Sequence, residues 1–135
     1  MPRTATCSCG QLSITLKDEP FLVRCCSCTE CHKLTGSALS TASYWDQEKV
    51  VAISGEHKPY IRVADSGRKV TFHFCPSCGG KVFWYADLLP GKIGVAVGGF
   101  DELDFLRPTM ATYCRSKSSW VDFASDIQQS QQPGS

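Results

Sequence analysis

The sequence predicts a single, mainly β domain fastened by metal-binding cysteines. Three observations carry this. Apolar and polar residues alternate in short runs such as Gln11 to Lys17 and Lys69 to Phe74, the period of half-buried strands. Helical periodicity is scarce from end to end. Nine cysteines stand in 135 residues, and most fall into tight motifs: Cys7-Ser8-Cys9, Cys26-Ser27-Cys28-Thr29-Glu30-Cys31 and Cys75-Pro76-Ser77-Cys78.

Length and charge narrow the class. A chain of this size makes one domain with a real core. Fourteen basic residues against thirteen acidic ones leave no field to attract a polyanion, so nucleic acid is not an expected partner. The first twenty residues hold no signal-peptide core, and no apolar run reaches the roughly eighteen residues of a membrane span. The expectation is a soluble cytoplasmic protein with no membrane partner. An odd cysteine count without an export signal favours metal over a disulfide framework. Cys7 and Cys9 on an extended strand are poorly placed to bridge each other, with both side chains on one face and α-carbons about 6.6 Å apart. They would still share one face and could grip one ion.

In chain order, Met1 to Thr6 reads as a loose arm and Cys7-Ser8-Cys9-Gly10 opens the domain. Gln11 to Lys17 is a strand, with Leu12, Ile14 and Leu16 inward, and Asp18-Glu19-Pro20 breaks it. Phe21 to Arg24 is a short strand that delivers the chain into a cysteine loop. Strands are expected over Ala38 to Trp45, Val50 to Ile53 and Tyr60 to Val63. Asp65-Ser66-Gly67-Arg68 is a hairpin turn into Lys69 to Phe74. Cys75 to Gly80 is a chelating turn whose glycines permit positive φ and leave amides near the sulfurs. Lys81 to Tyr85 and Lys92 to Val97 are further strands, Gly98-Gly99 a turn, and Pro108 to Trp120 holds one more strand. Residues 1–124 form the domain. Residues 125–135, polar and glutamine-rich, are expected to be a frayed tail.

The cysteines sort into two sites. Cys7 and Cys9 with Cys75 and Cys78 make a closed four-thiolate site, structural by nature. Cys26, Cys28 and Cys31 make a three-thiolate site from six consecutive residues, and the fourth tetrahedral position is left for an outside group. Only one of the adjacent Cys25 and Cys26 can face that metal, because neighbouring side chains on an extended run point opposite ways. Cys114 is read as a buried thiol. Glu30 and His32 are the candidate proton carriers beside the trio, with His73 a weaker one. Gly36 and Ser37 are candidates for a backbone pocket that takes a carboxylate. Lys117 is a candidate to pair with one. Trp45, Phe83, Trp84 and Trp120 are read as core or pocket wall, mostly core.

The order CSCG, CSCTECHKLTGS, FCPSCGG and VGGFDELD, followed by a Pro-to-Trp stretch with a lysine before the tryptophan, resembles the glutathione-dependent formaldehyde-activating enzyme (GFA) family. That family also includes the centromere-protein-V type domain. The resemblance runs from about Cys7 to Trp120. It implies an Mss4-like fold of stacked β-sheets stapled by zinc, two ions per chain, one on Cys7, Cys9, Cys75 and Cys78 and one on Cys26, Cys28 and Cys31. It also implies carbon-sulfur lyase chemistry, with glutathione as a possible co-substrate. Relatives often carry a His-Ile pair three residues after the late proline. Here Pro108 is followed by Thr109-Met110-Ala111-Thr112, which points away from the original formaldehyde role.

Two function classes follow. In the first, the protein is a zinc-dependent carbon-sulfur lyase that makes or breaks the C–S bond of a glutathione or other thiol adduct, with the sulfur held as thiolate on the trio. A metal on three thiolates is a weak Lewis acid, so hydrolysis is not the first expectation. In the second, the chain is a non-catalytic glutathione carrier or a two-zinc protein-interaction module. The first requires a trio open to solvent; the interaction module requires a fourth protein ligand and an exposed apolar patch nearby. Self-association into a homo-oligomer is left open by the sequence.

Overall fold

The computed structural model describes residues 2–131. Eleven strands and one short helix form two stacked sheets. In the smaller sheet β2 (Ser13–Leu16) lies between β1 (Arg3–Thr6) and β5 (Val50–Ser54), antiparallel to both. The larger sheet has eight strands, in the order β11 (Gln128–Gln129), β10 (Met110–Thr112), β3 (Leu22–Cys26), β4 (Ser40–Asp46), β9 (Lys92–Ala96), β8 (Lys81–Ala86), β7 (Lys69–Phe74) and β6 (Lys58–Val63). Most neighbours are antiparallel; β10 runs parallel to both β3 and β11.

The main core fills the space between the sheets. Leu12, Ile14 and Leu16 from the small sheet meet Trp45, Phe83, Ile93 and Val95 from the large one, all at most 1 % exposed. The alternation read from Gln11 to Lys17 thus points into a layer between two sheets. Strand β4, at the centre of the large sheet, is buried on both faces. Its Ser43 survives there because the hydroxyl donates to Val95 O at 3.0 Å and accepts from Trp45 Nε1 at 2.9 Å, so no polar atom of the pair is orphaned.

The outer face of the large sheet carries the site. Cross-strand register places Leu22, Tyr44, Gly94, Trp84, Phe72 and Tyr60 in one row across six strands. In the next row Arg24 stands opposite Ala42 and Ala42 opposite Ala96; beyond it Cys26 stands opposite Ser40. Large rings in the first row and small side chains in the next leave a hollow beside the trio.

Three expectations are corrected. Residues Arg3 to Thr6 are not a loose arm: they pair with β2 through main-chain bonds, and Ala5 is fully buried. The cysteine loop contains a helix, α1 (Thr29–Thr35), capped at its start by the Cys28 sulfur, which accepts from Cys31 N at 3.3 Å. The chain after Ser125 is not frayed through Gln131. Gln128 N donates to Thr109 O and Ser130 N to Ala111 O, and Ile127 packs against Cys25, Ala111 and Cys114. The tail expectation for residues 132–135 falls outside the described residues. Among the described residues, no helix is long and apolar enough to cross a membrane.

Candidate metal centres and the cavity between them

Folding brings the beginning of the domain to its middle. The sulfurs of Cys7, Cys9, Cys75 and Cys78 lie within 4.8 Å of one another. Cys7 to Cys9 and Cys9 to Cys75 are both 3.7 Å. A tetrahedron of metal–sulfur bonds of about 2.3 Å has edges of about 3.8 Å, so the donor set and its spacing fit a four-thiolate metal. Surrounding donors favour thiolates: Leu12 N reaches Cys7 Sγ at 3.3 Å, Ser77 N reaches Cys75 Sγ at 3.3 Å, and Gln11 Nε2 reaches Cys75 Sγ at 3.1 Å. Burial raises the Cys75 thiol, but the amides of Cys78 and Ser77 with the Gln11 side chain outweigh it and hold its pKa at about 6. Cys9 goes the other way. A Gln11 backbone hydrogen bond lowers it, yet burial and the crowding thiols of Cys7, Cys75 and Cys78 push it up to about 11. Crowded thiols share their protons unequally, and a cation among them favours the thiolate in all four.

The second group is local. Cys26 ends β3, Cys28 caps α1 and Cys31 lies in its first turn, and their sulfurs also fall within 4.8 Å of one another. Among the described residues no fourth histidine, cysteine or carboxylate joins them. The neighbouring Cys26 thiol raises the pKa of Cys31, against hydrogen bonds from Cys28 and Ser40 that lower it. Cys25 points away, into the cluster with Cys114 on the opposite face, and both are free thiols.

Beside the trio lies an open cavity of about 360 Å³, within the size range of small-ligand sites. One wall comes from α1 and the strand after it (Leu34, Thr35, Ser40, Thr41), the other from Gly79, Gly80 and Lys81, which follow Cys78. One wall therefore belongs to the quartet's own turn. Lys81 is the only charged side chain in the lining. Its Nζ lies 4.4 Å from the Trp84 ring centroid and 5.1 Å from that of Phe72. Burial lowers its pKa, although the charges of Cys31 and Cys26 work the other way. Arg24, also beside the trio, donates to Tyr44 Oη at 3.2 Å and lies over that ring. Tyr44 and the trio's thiols keep the guanidinium's pKa up against burial.

The other candidates from the sequence are placed as follows. His32 Nε2 is buried and has no hydrogen-bond partner, while Glu30 is exposed. Gly36 closes α1 in the left-handed conformation (φ 66°), and its amide donates to His32 O. The Ser37 amide donates to Thr35 Oγ1 at 3.2 Å. Both amides are thus committed to the helix end, outside the cavity lining. His73 turns to the other face, stacked on Phe83 with its Nδ1 3.0 Å from that of His57. Lys117 donates to Val121 O. Trp45, Phe83 and Trp84 are buried, whereas Trp120 is exposed.

Lys81, Ser40 and Arg24 were not singled out in the sequence. Plain alternation along β8 would put Lys81 on the Phe83 side. The register slips opposite His73 and Phe74, so Val82 and Phe83 both enter the core and Lys81 comes out on the Trp84 face. A bulge of this kind re-aims a side chain, and no residue type announces it.

The sequence profile of the glutathione-dependent formaldehyde-activating enzyme family matches residues 2–116. The chain belongs to this family. Among solved structures, a Rhodobacter sphaeroides protein determined as a structural-genomics target is similar, with a TM-score of 0.57 and 18 % identity over 75 % of this chain and 90 % of that one. That likeness speaks to the fold alone. Among curated proteins no match is found. Family membership places a glutathione-related activity on the table, and the two cysteine groups of this GFA chain are the sites able to hold metal ions.

Proposed function

We propose that the protein is a zinc-dependent carbon-sulfur lyase acting on a glutathione or other thiol adduct. The observation that carries this reading is the trio of sulfurs with no fourth protein ligand among the described residues, set beside a solvent-open cavity. Zinc is the metal best suited to all-thiolate tetrahedral sites, and when bound at the trio it would hold an incoming thiol as thiolate near neutral pH.

The chain's own residues supply the rest. Cys26, Cys28 and Cys31 would hold the metal from a strand end and a capped helix turn, rigid elements that fix their positions. Ser40 hydrogen-bonds Cys31 and steadies that ligand. For a hydroxyalkyl thioether adduct, cleavage takes the hydroxyl proton, breaks the C–S bond with its electron pair going to sulfur, and leaves a carbonyl and a thiolate. In the reverse direction the thiolate sulfur attacks the carbonyl carbon and the new alkoxide takes the proton back. His32, with a buried Nε2 free of any internal hydrogen-bond partner, is the group assigned to that proton, because an imidazole nitrogen can both accept and donate one. Glu30, two residues before His32 in α1, is exposed at the surface. The compartment proposed is the cytoplasm, and the partner a small molecule.

The exposed apolar residues Tyr60, Ile61 and Val63 of β6 lie five strands from β3 in the sheet order. That group of three does not favour an interaction module centred on the trio, and exposed Phe21 precedes the end of β3 opposite to Cys26.

The test is metal analysis of wild type and Cys28→Ser, coupled to turnover of a panel of glutathione adducts. The expected result is two zinc ions in wild type, one in the variant with its fold retained, and turnover abolished. Loss of the fold in Cys28→Ser would make both metals structural, and binding of glutathione without turnover in wild type would make the protein a carrier.

A further inference from the structure

We propose that Lys81 selects an anionic thiol: the cavity beside the trio takes the carboxylate of a carboxylate-bearing thiol adduct, paired with the Lys81 ammonium. This rests on the reading of the trio as a thiol site and names the part of the ligand that the rest of the cavity recognises.

The ammonium lacks an internal partner. Among the described residues no ion pair includes it and it donates no hydrogen bond. It lies over the faces of Trp84 and Phe72. Arg62 lies over the same Phe72 ring, 5.5 Å from its centroid, and its charge opposes that of Lys81. Two cations meeting at one ring, with Lys81 half-buried, favour an anion in the space beside them.

Position adds to charge. Lys81 lines the cavity together with Ser40, whose hydroxyl also bonds Cys31. A ligand with its sulfur at the trio and its body in this cavity would meet Lys81 as the charged side chain of the lining. The bulge in β8 that brings Lys81 to this face leaves Val82 and Phe83 both facing the core. A surface lysine would have needed no such device.

Two other cations are engaged, and Arg62, over the same Phe72 ring as Lys81, stands outside the cavity lining. Arg24 is held by Tyr44, and Lys117 by the carbonyl of Val121. Gly36 and Ser37 have their amides in the helix cap. Lys81 is left as the group able to accept a carboxylate.

The experiment compares the formaldehyde adducts of glutathione and of 2-mercaptoethanol, a thiol without a carboxylate, as substrates for wild type, Lys81→Met and Lys81→Arg. Thermal unfolding of each variant is followed in parallel. The readout is the ratio of kcat/KM for the first adduct over the second. Wild type is expected to favour the glutathione adduct; the ratio falls at least tenfold in Lys81→Met, through KM, and recovers in Lys81→Arg. An unchanged ratio, with both substrates affected alike, overturns the role of Lys81 while leaving the thiol reading intact. Absence of turnover on both of these and on every glutathione adduct of the panel above by zinc-loaded wild type overturns both.

Discussion

Gly94 faces the indole of Trp84 so closely that a β-carbon on it would lie 2.2 Å from Trp84 Nε1 and 2.3 Å from Cε2. The two residues are direct partners across β9 and β8, and Trp84 is only 7 % exposed. The missing side chain is what lets the ring lie across the outer face and form the platform under Lys81. Gly94→Ala is therefore expected to destabilise the fold by about 1–3 kcal/mol through overpacking, measured by denaturant unfolding. Gly98→Ala, which would meet nothing within 4 Å, is the control and should change stability by about 0.5 kcal/mol or less.

Removing metal should separate the two cysteine groups. The quartet joins residues nearly seventy positions apart, Cys9 and Cys75, and structural zinc contributes about 10–16 kcal/mol in small peptides. That matches or exceeds the roughly 5–15 kcal/mol net stability of a whole domain. Cys75→Ser, or exhaustive chelation, should abolish the cooperative thermal transition seen by circular dichroism. A Cys31→Ser change at the trio should leave a cooperative transition in place.

His73 gives a pH dependence with a definite sign. Burial first, and then the charge of His57, hold its pKa below the ordinary 6.5. Between the folded and the unfolded value the unfolded chain binds more protons, so stability rises with pH there. Acidification from pH 7 should lower stability through this window, with the full penalty reached below the folded pKa. His57→Gln removes the neighbouring charge but not the burial. The imidazole resonance of His73 should then titrate at higher pH than in wild type, while staying under 6.5.

The polar C-terminus has a structural job. Truncation after Ala124 removes β11 and the side chain of Ile127, which packs against Cys25, Ala111 and Cys114. The expected loss is about 1–3 kcal/mol for one buried aliphatic side chain. Cys25 and Cys114, both at most 6 % exposed in the intact fold, should become reactive toward a thiol reagent in the truncated chain. Unchanged labelling rates would show that the segment protects nothing.

The sequence disclosed what depends on residue type and spacing. Cys28 and Cys31 three apart, Cys75 and Cys78 three apart, and the alternation through Leu12, Ile14 and Leu16 each follow from local geometry. It was silent where the backbone decides. The four residues of β1 pair through main-chain bonds that any side chains permit, and β11 does the same with glutamines. Helix α1 buries no residue, so it leaves no apolar period to read, and its cap is a sulfur rather than one of the usual oxygens. Lys81 was missed for a related reason: a single slipped register in β8 inverts its face.

The turn of Cys78, Gly79 and Gly80 serves two masters, closing one group of sulfurs and walling the chamber beside the other. Were both groups to hold metal, maturation would have an order: until the quartet closed, the trio would have no chamber beside it, and a cell starved of metal would accumulate unfinished chains before idle finished ones.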